Sequence, residues 1–234
     1  VYSLLLDPEM QGEVSHRYIL GLYEFMEKLT QAYPHILFES CSGGGGRYDA
    51  GMLYYMPQTW TSDNTDPIAR LKIQYSTSLV YPISTMGAHV SAIPNHQTGR
   101  ETSLDIRGNV AMSGVLGYEL DLTTLSEEEK VLIVKQVDFY KEHRQLLQFG
   151  DFVRLKSPYE ENEVAWMFVS KDKKEAIVFY FRVLVEASAP YVTLKLAHLD
   201  ETLEYQIANH VISGDALMNI GMYIDPKLHG DYAT

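Results

Sequence analysis

Residues 38–66 read FESCSGGGGRYDAGMLYYMPQTWTSDNTD, and the fold class turns on this stretch. A short apolar run leads into Cys41, four consecutive glycines and Arg47. A second apolar and aromatic run follows, then small polar residues with Asp63 and Asp66 among them. Asp66-Pro67 is a helix start, with the aspartate as N-cap and the proline at the first helical position, where a missing N–H costs nothing. Asp63 therefore falls where a strand stops and before a helix begins. Strand ends of this kind carry the chemistry of α/β barrels.

The flanking sequence fits that frame. Residues 1–14 lack a period and read as a loop. Ser15 is placed to cap a helix over 15–32, with Ile19, Leu22, Tyr23, Met26 and Leu29 at helical spacing and Pro34 ending it. Residues 35–40 (HILFES) have strand length. Residues 52–56 and 59–62 read as extended, interrupted by Pro57. The helix opened by Asp66 continues to about residue 80, and 83–89 is a strand. A small-residue helix is predicted over 104–113 and a strand over 117–122. Ser126 and Glu129 form a capping box, opening a helix to about residue 148. This alternation over 15–148 predicts a parallel sheet with crossover helices. After Gly150 the texture changes to short strand candidates at 166–169, 176–184, 191–196 and 204–207, with no helix of comparable strength. That segment is expected to be a small antiparallel β domain.

Composition narrows the function classes. A net charge of −12 repels phosphate backbones and argues against nucleic acid as the main partner. No apolar run approaches the about 18–20 residues that cross a bilayer, so no membrane partner is expected. The chain does not begin with Met and is expected to be a piece whose natural start lies upstream. Cys41 is the single cysteine, so no intrachain disulfide forms, which fits a reducing, cytoplasmic compartment. Seventeen Tyr and two Trp supply rings of the kind that line sugar clefts, with ordinary packing as the alternative.

Several residues are candidates for chemistry, each with a plainer alternative. Gly43, Gly44, Gly45 and Gly46 allow positive φ and close backbone approach, as a ligand-binding loop or as a tight turn. No Lys-Ser/Thr pair follows them and no helix opens directly after, so they are neither a P-loop nor a dinucleotide fingerprint. Asp63 is either a general acid in an aromatic-walled cleft or a second carboxylate serving the helix N-terminus, three residues early for that task. Cys41 is either a nucleophile with His89 or His96 as base, or inert packing. The two histidines do not match a zinc motif, and no metal or other cofactor is expected. Trp60 is either a platform for a sugar face or part of the core.

HILFESCSGGGGRYDAGMLYYMPQTWTSDNTD, RLKIQYSTSLVYPISTMGAHVS (70–91) and PNHQTGR (94–100) together resemble the bacterial α-galactosidases of glycoside hydrolase family 36. The likeness extends through GYELDL (117–122) into the C-terminal segment. It implies a retaining α-galactosidase acting on melibiose- and raffinose-type oligosaccharides. It implies that residues 1–149 are the C-terminal half of a (β/α)8 TIM barrel, about strands five to eight, and that 150–234 are an antiparallel β-sandwich domain. In the family's S-D-N-T-D motif the first aspartate is the general acid/base, which falls on Asp63. The C-S-G-G segment binds galactose, which points to Cys41, Ser42, Gly43 and Gly44, with Cys41 as pocket wall rather than nucleophile. The family's nucleophile sits in a K-W-D-M-N-type motif that does not occur here, so this piece alone is expected to be inactive. The whole protein is expected to be a homo-oligomer, a tetramer by the family's habit. A non-catalytic carbohydrate-binding or structural barrel protein, and a related transglycosylase, are the rival readings.

Overall fold

The structure, a computed structural model, describes residues 2–188, 191–224 and 230–234. The first residue of the expected loop over 1–14 lies outside these, as do 189–190 and 225–229 of the expected β domain. The chain divides into two compact units, Val1–Trp60 and Thr61–Thr234.

In the first unit a 3-10 turn, Pro8–Met10, runs into helix α1 (Gly12–Ala32). The helix starts three residues before the expected Ser15 cap. Gln11 stands at the boundary in helical conformation, and its side chain bonds Ser3 and Leu6 backbone instead of capping. The preceding 3-10 turn supplies the first hydrogen bonds, so no side-chain cap is needed. After α1 a turn closed by Ile36 N–H to Tyr33 O takes up residues expected to be extended, leaving strand β1 only Glu39–Ser40. Then comes the single turn α2 (Ser42–Gly45), helical in hydrogen bonding only, because Gly43 and Gly44 lie outside right-handed helical φ/ψ. Of the residues expected to be extended at 52–56, 52–55 instead belong to helix α3 (Ala50–Tyr55), and only Met56 is extended. The reason is local: the Asp49 carboxylate accepts from Met52 N–H at 2.9 Å and caps the helix. Strand β2 (Gln58–Trp60) then pairs parallel with β1, Ser40 opposite Thr59.

The second unit opens with helix α4 (Pro67–Thr77), capped by Asp66 as the sequence predicts. A 3-10 turn at Ile83–Thr85 takes the front of the expected strand, and β3 runs Met86–Ser91. Helix α5 (Leu104–Met112) crosses to strand β4 (Val115–Glu119), which pairs parallel with β3, His89 opposite Gly117. Ala88 and Val90 pack on Leu104 and Ala111, so the crossover helix covers the parallel pair. A Cβ on Gly108 would meet the Gln136 side chain at 2.2 Å, so glycine lets α5 approach helix α6 (Glu127–Phe149). The capping box of α6 forms in both directions between Ser126 and Glu129.

Beyond α6 the sheets are antiparallel. Strands β5 (Asp151–Lys156), β6 (Glu163–Val169) and β7 (Ala176–Arg182) lie in that order. β5 was not among the expected strands, although its last four residues, VRLK, alternate as a half-buried strand should. Strand β8 (Thr193–Leu194) pairs with β11 (Met222–Tyr223), and β9 (Glu204–Ile207) with β10 (His210–Ser213). A short helix, α7 (Gly214–Asn219), corrects the expectation of no helix here; Ser213 caps it by accepting from Ala216 N–H. Both faces of β6 are buried. Ala165, Met167 and Val169 face a cluster with Leu194, Leu196 and Leu217. Trp166 packs on Phe181 and donates its indole N–H to Ser113 Oγ at 2.8 Å. Parallel β–α–β units followed by antiparallel sheets are thus the architecture among the described residues.

Candidate active site

Asp63 lies three residues beyond the end of β2, on the segment leading into α4, and is exposed. Its carboxylate makes no hydrogen bond among the described residues. Everything around it is tied down. Ser62 Oγ accepts from Asn64 N–H at 3.2 Å, and Asn64 Oδ1 accepts from Asp66 N–H at 3.1 Å. These are side-chain turns that fix a short polar loop. Asn95 Nδ2 donates to Thr65 Oγ1 at 3.0 Å, and Ser91 Oγ donates to Thr65 O at 3.3 Å, which anchors the loop to the end of β3.

Asp66 is fully buried. It accepts from Ala69 N–H and pairs with the Arg100 guanidinium, whose own cationic group lies over the Tyr232 ring. Arg70, one turn into α4, is the residue that sequence reading missed. It is 2% exposed and donates to three carbonyls: Ser62 O at 2.8 Å, Asn64 O at 2.9 Å and Gly87 O at 3.3 Å. Burial pushes its guanidinium down to about 10, opposed by attraction to Glu119 and Asp63, so it stays cationic at neutral pH. The available signal was a cation four residues into an otherwise apolar helix start.

His89, on β3, has its Nδ1 3.5 Å from Glu119 Oε2 at the end of β4. His96 is exposed in the loop after β3. No group of three or more His, Cys, Asp or Glu side chains among the described residues is placed to hold a metal ion. A cavity of about 820 Å³ elsewhere in this unit is lined by α4 and the antiparallel sheet, including Lys72, Tyr159, Glu163 and Arg182, and not by Asp63.

In the first unit, Cys41 is a half-buried free thiol. After it, Ser42, Gly43, Gly44 and Gly45 all have positive φ, at 55°, 67°, 71° and 89°. Glycine takes this conformation without penalty, whereas Ser42 is an L-residue held in it. Two bonds brace the turn: Gly45 N–H to Cys41 O at 2.9 Å, and Arg47 Nη1 to Ser42 Oγ at 2.9 Å. Arg47 is itself held by donating to Tyr18 OH at 2.7 Å. Trp60 is buried, which suits packing better than an open stacking platform.

A strand-end carboxylate on a braced loop thus lies among parallel β–α units that are followed by antiparallel sheets. The melibiase family model matches residues 1–150, and the model for the glycosyl hydrolase family 36 C-terminal domain matches 163–234. The chain belongs to the melibiase family of glycosyl hydrolases. It is 64% identical over 233 residues to the α-galactosidase AgaA of Geobacillus stearothermophilus, covering 99% of this chain and 32% of that protein. It is 60% identical to α-galactosidase 1 of Pediococcus pentosaceus, covering 100% of this chain and 32% of that protein. The crystal structure of a Geobacillus AgaA variant in complex with raffinose superposes with a TM-score of 0.96 at 60% identity, over 99% of this chain and 32% of that one. The chain thus spans about a third of the length of these relatives.

Proposed function

We propose that the protein containing this chain is a retaining α-galactosidase that hydrolyses terminal α-galactosyl groups of melibiose- and raffinose-type oligosaccharides. The observation that carries this is the 60% identity, over nearly the whole chain, to an α-galactosidase whose structure holds raffinose. In this reading β1 to β4 are strands five to eight of a (β/α)8 barrel formed by residues 1–149 with chain from elsewhere in the protein. Residues 150–234 are then the antiparallel β domain. No cofactor is needed, the compartment is cytoplasmic, and the assembly is a homo-oligomer.

Asp63 is the general acid/base. A retaining glycosidase uses two carboxyl groups about 5–5.5 Å apart. One attacks the anomeric carbon as the bond to the leaving oxygen breaks, giving a glycosyl-enzyme. The other gives its proton to that oxygen and then takes one from the incoming water. An exposed carboxylate with no competing hydrogen bond, on a loop fixed from both sides, suits the second task, because proton transfer needs reach and a defined position. Cys41, Ser42, Gly43 and Gly44 contact the galactosyl group, Cys41 as wall rather than nucleophile. The attacking carboxylate comes from a part of the protein outside this sequence.

The test is Asp63→Ala in the whole protein, assayed on melibiose and on nitrophenyl galactoside. Removing a general acid is expected to lower kcat/KM for melibiose by about 10²–10⁴-fold. The activated aryl substrate, whose leaving group needs no proton, should lose far less in the same step. Equal rates for wild type and variant on both substrates would sink the assignment.

A further inference from the structure

We propose that Arg70 is the positioning residue for Asp63, holding the peptide groups on both sides of the acid in one clamp. The proposal rests on the reading of Asp63 as acid/base. Ser62 and Asn64 are the immediate neighbours of Asp63, and Arg70 donates to both of their carbonyls, through Nη2 at 2.8 Å and Nε at 2.9 Å. Its Nη1 donates to Gly87 O, in β3, at 3.3 Å. One rigid group therefore fixes the backbone before the acid, the backbone after it, and a neighbouring strand. The Asp63 carboxylate makes no hydrogen bond among the described residues, so this backbone sets its position.

The guanidinium suits the task by geometry. Its five donors lie in one plane at fixed angles, so three carbonyls are reached at once. The ammonium of lysine is a point donor on a flexible stem and satisfies fewer of them. The guanidinium is buried and so is its bond to Gly87 O, which ties the clamp to β3 because a buried carbonyl left without a donor is costly. Arg107 is the natural contrast. It is equally buried, at 3% exposed, and also donates to carbonyls, Ser91 O at 2.7 Å and Ser103 O at 3.3 Å. Neither carbonyl flanks Asp63; Ser91 reaches the loop only at Thr65, two residues after the acid. A purely structural buried arginine should behave like Arg107.

The experiment compares Arg70→Lys, Arg70→Gln, Arg107→Lys, Asp63→Ala and the double variant Arg70→Lys/Asp63→Ala in the whole protein. The readout is the ratio of kcat/KM on melibiose to kcat/KM on nitrophenyl galactoside, measured on one preparation. The fraction of folded enzyme cancels in this ratio, so poor folding does not obscure it. A displaced acid should lower the ratio by about 10- to 100-fold in both Arg70 variants, since misplacement by about 1 Å costs on the order of 10² in rate. The ratio for Arg107→Lys should stay within about twofold of wild type. The double variant should fall no further than Asp63→Ala alone, because Arg70 acts through that acid. A ratio unchanged in the Arg70 variants, while Asp63→Ala lowers it, overturns this proposal and leaves the acid assignment intact. An equal fall in Arg107→Lys also overturns it, by showing a general structural effect. No fall in Asp63→Ala overturns the acid assignment itself.

Discussion

Asp66 is fully buried and Asp63 is exposed, although only three positions separate them. The first is accounted for by local rules, as cap of α4 and partner of Arg100, and the Asp66-Pro67 pair makes that legible without coordinates. The second makes no hydrogen bond among the described residues, which suits the proton exchange proposed for it. Arg70 was not legible, because its bonds reach back to Ser62 and forward to Gly87, and no period or motif encodes a carbonyl seventeen residues away. The left-handed turn after Cys41 gives a prediction at the same scale. Gly44 has φ of 71°, a conformation that costs an L-residue about 1–2 kcal/mol. If this turn contacts the galactosyl group, Gly44→Ala lets the free turn relax out of that conformation, and restoring it on binding should weaken galactoside affinity by about 5- to 30-fold. The fall should show in KM and in the inhibition constant of galactose, with a smaller change in kcat. An unchanged KM would separate the turn from the sugar.

Elements were legible in proportion to how locally they are specified. The capping box of α6 and the Asp66 cap of α4 needed only a few consecutive residues. The expected strand at 52–56 became α3 because the Asp49 cap outweighed a five-residue apolar run, which cannot distinguish strand from helix by period. β1 is two residues long because the turn at the end of α1 continues through Ile36. In the antiparallel sheet, Glu163 on β6 pairs with Lys156 on β5, and both are mostly buried. Burial alone would raise the Glu163 carboxyl, but bonding to Lys156 and Tyr180 outweighs it and holds the group below its ordinary 4.5. Burial likewise opposes the charge of Lys156, and bonding to Glu163 and Glu161 raises it above its ordinary 10.5. A carboxyl lowered on folding stabilises above its unfolded value and loses that contribution as pH falls through the folded one. The lysine's contribution is lost only as pH rises past about 10.5. Glu163→Gln should therefore cost about 1.5–3 kcal/mol at pH 7, the range for hydrogen bonds to charged groups, and much less at pH 3. Hydrogen exchange of β5–β7 amides in both proteins at the two pH values measures this; an equal cost at both would remove the ion pair as the cause.

At the scale of the molecule, alternation of helix and strand over 15–148 carried the class, and the change of texture at Gly150 marked the antiparallel part. The division between compact units at Trp60 and Thr61 had no such signal, because composition does not change there. It reflects long-range contacts instead. Trp166 bonds Ser113, and the Arg154 guanidinium bonds Ser78, so the antiparallel sheet is fastened to the helices that precede it within one unit. Such contacts join residues 53 and 76 positions apart and leave no trace in local pattern. Retaining hydrolysis needs two carboxyl groups across the scissile bond, one attacking and one transferring protons. The sequence contains the S-D-N-T-D segment that carries Asp63, and no K-W-D-M-N-type segment for the attacking group. On the proposed roles the chain supplies a proton donor but no nucleophile, so no glycosyl-enzyme forms on it. The purified 234-residue chain should therefore give no turnover of nitrophenyl galactoside, a substrate that needs the nucleophile but hardly needs the acid. Hydrolysis by the chain alone, with retention of anomeric configuration by NMR, would show that another carboxylate within it attacks, and would reassign the reaction to residues other than those proposed.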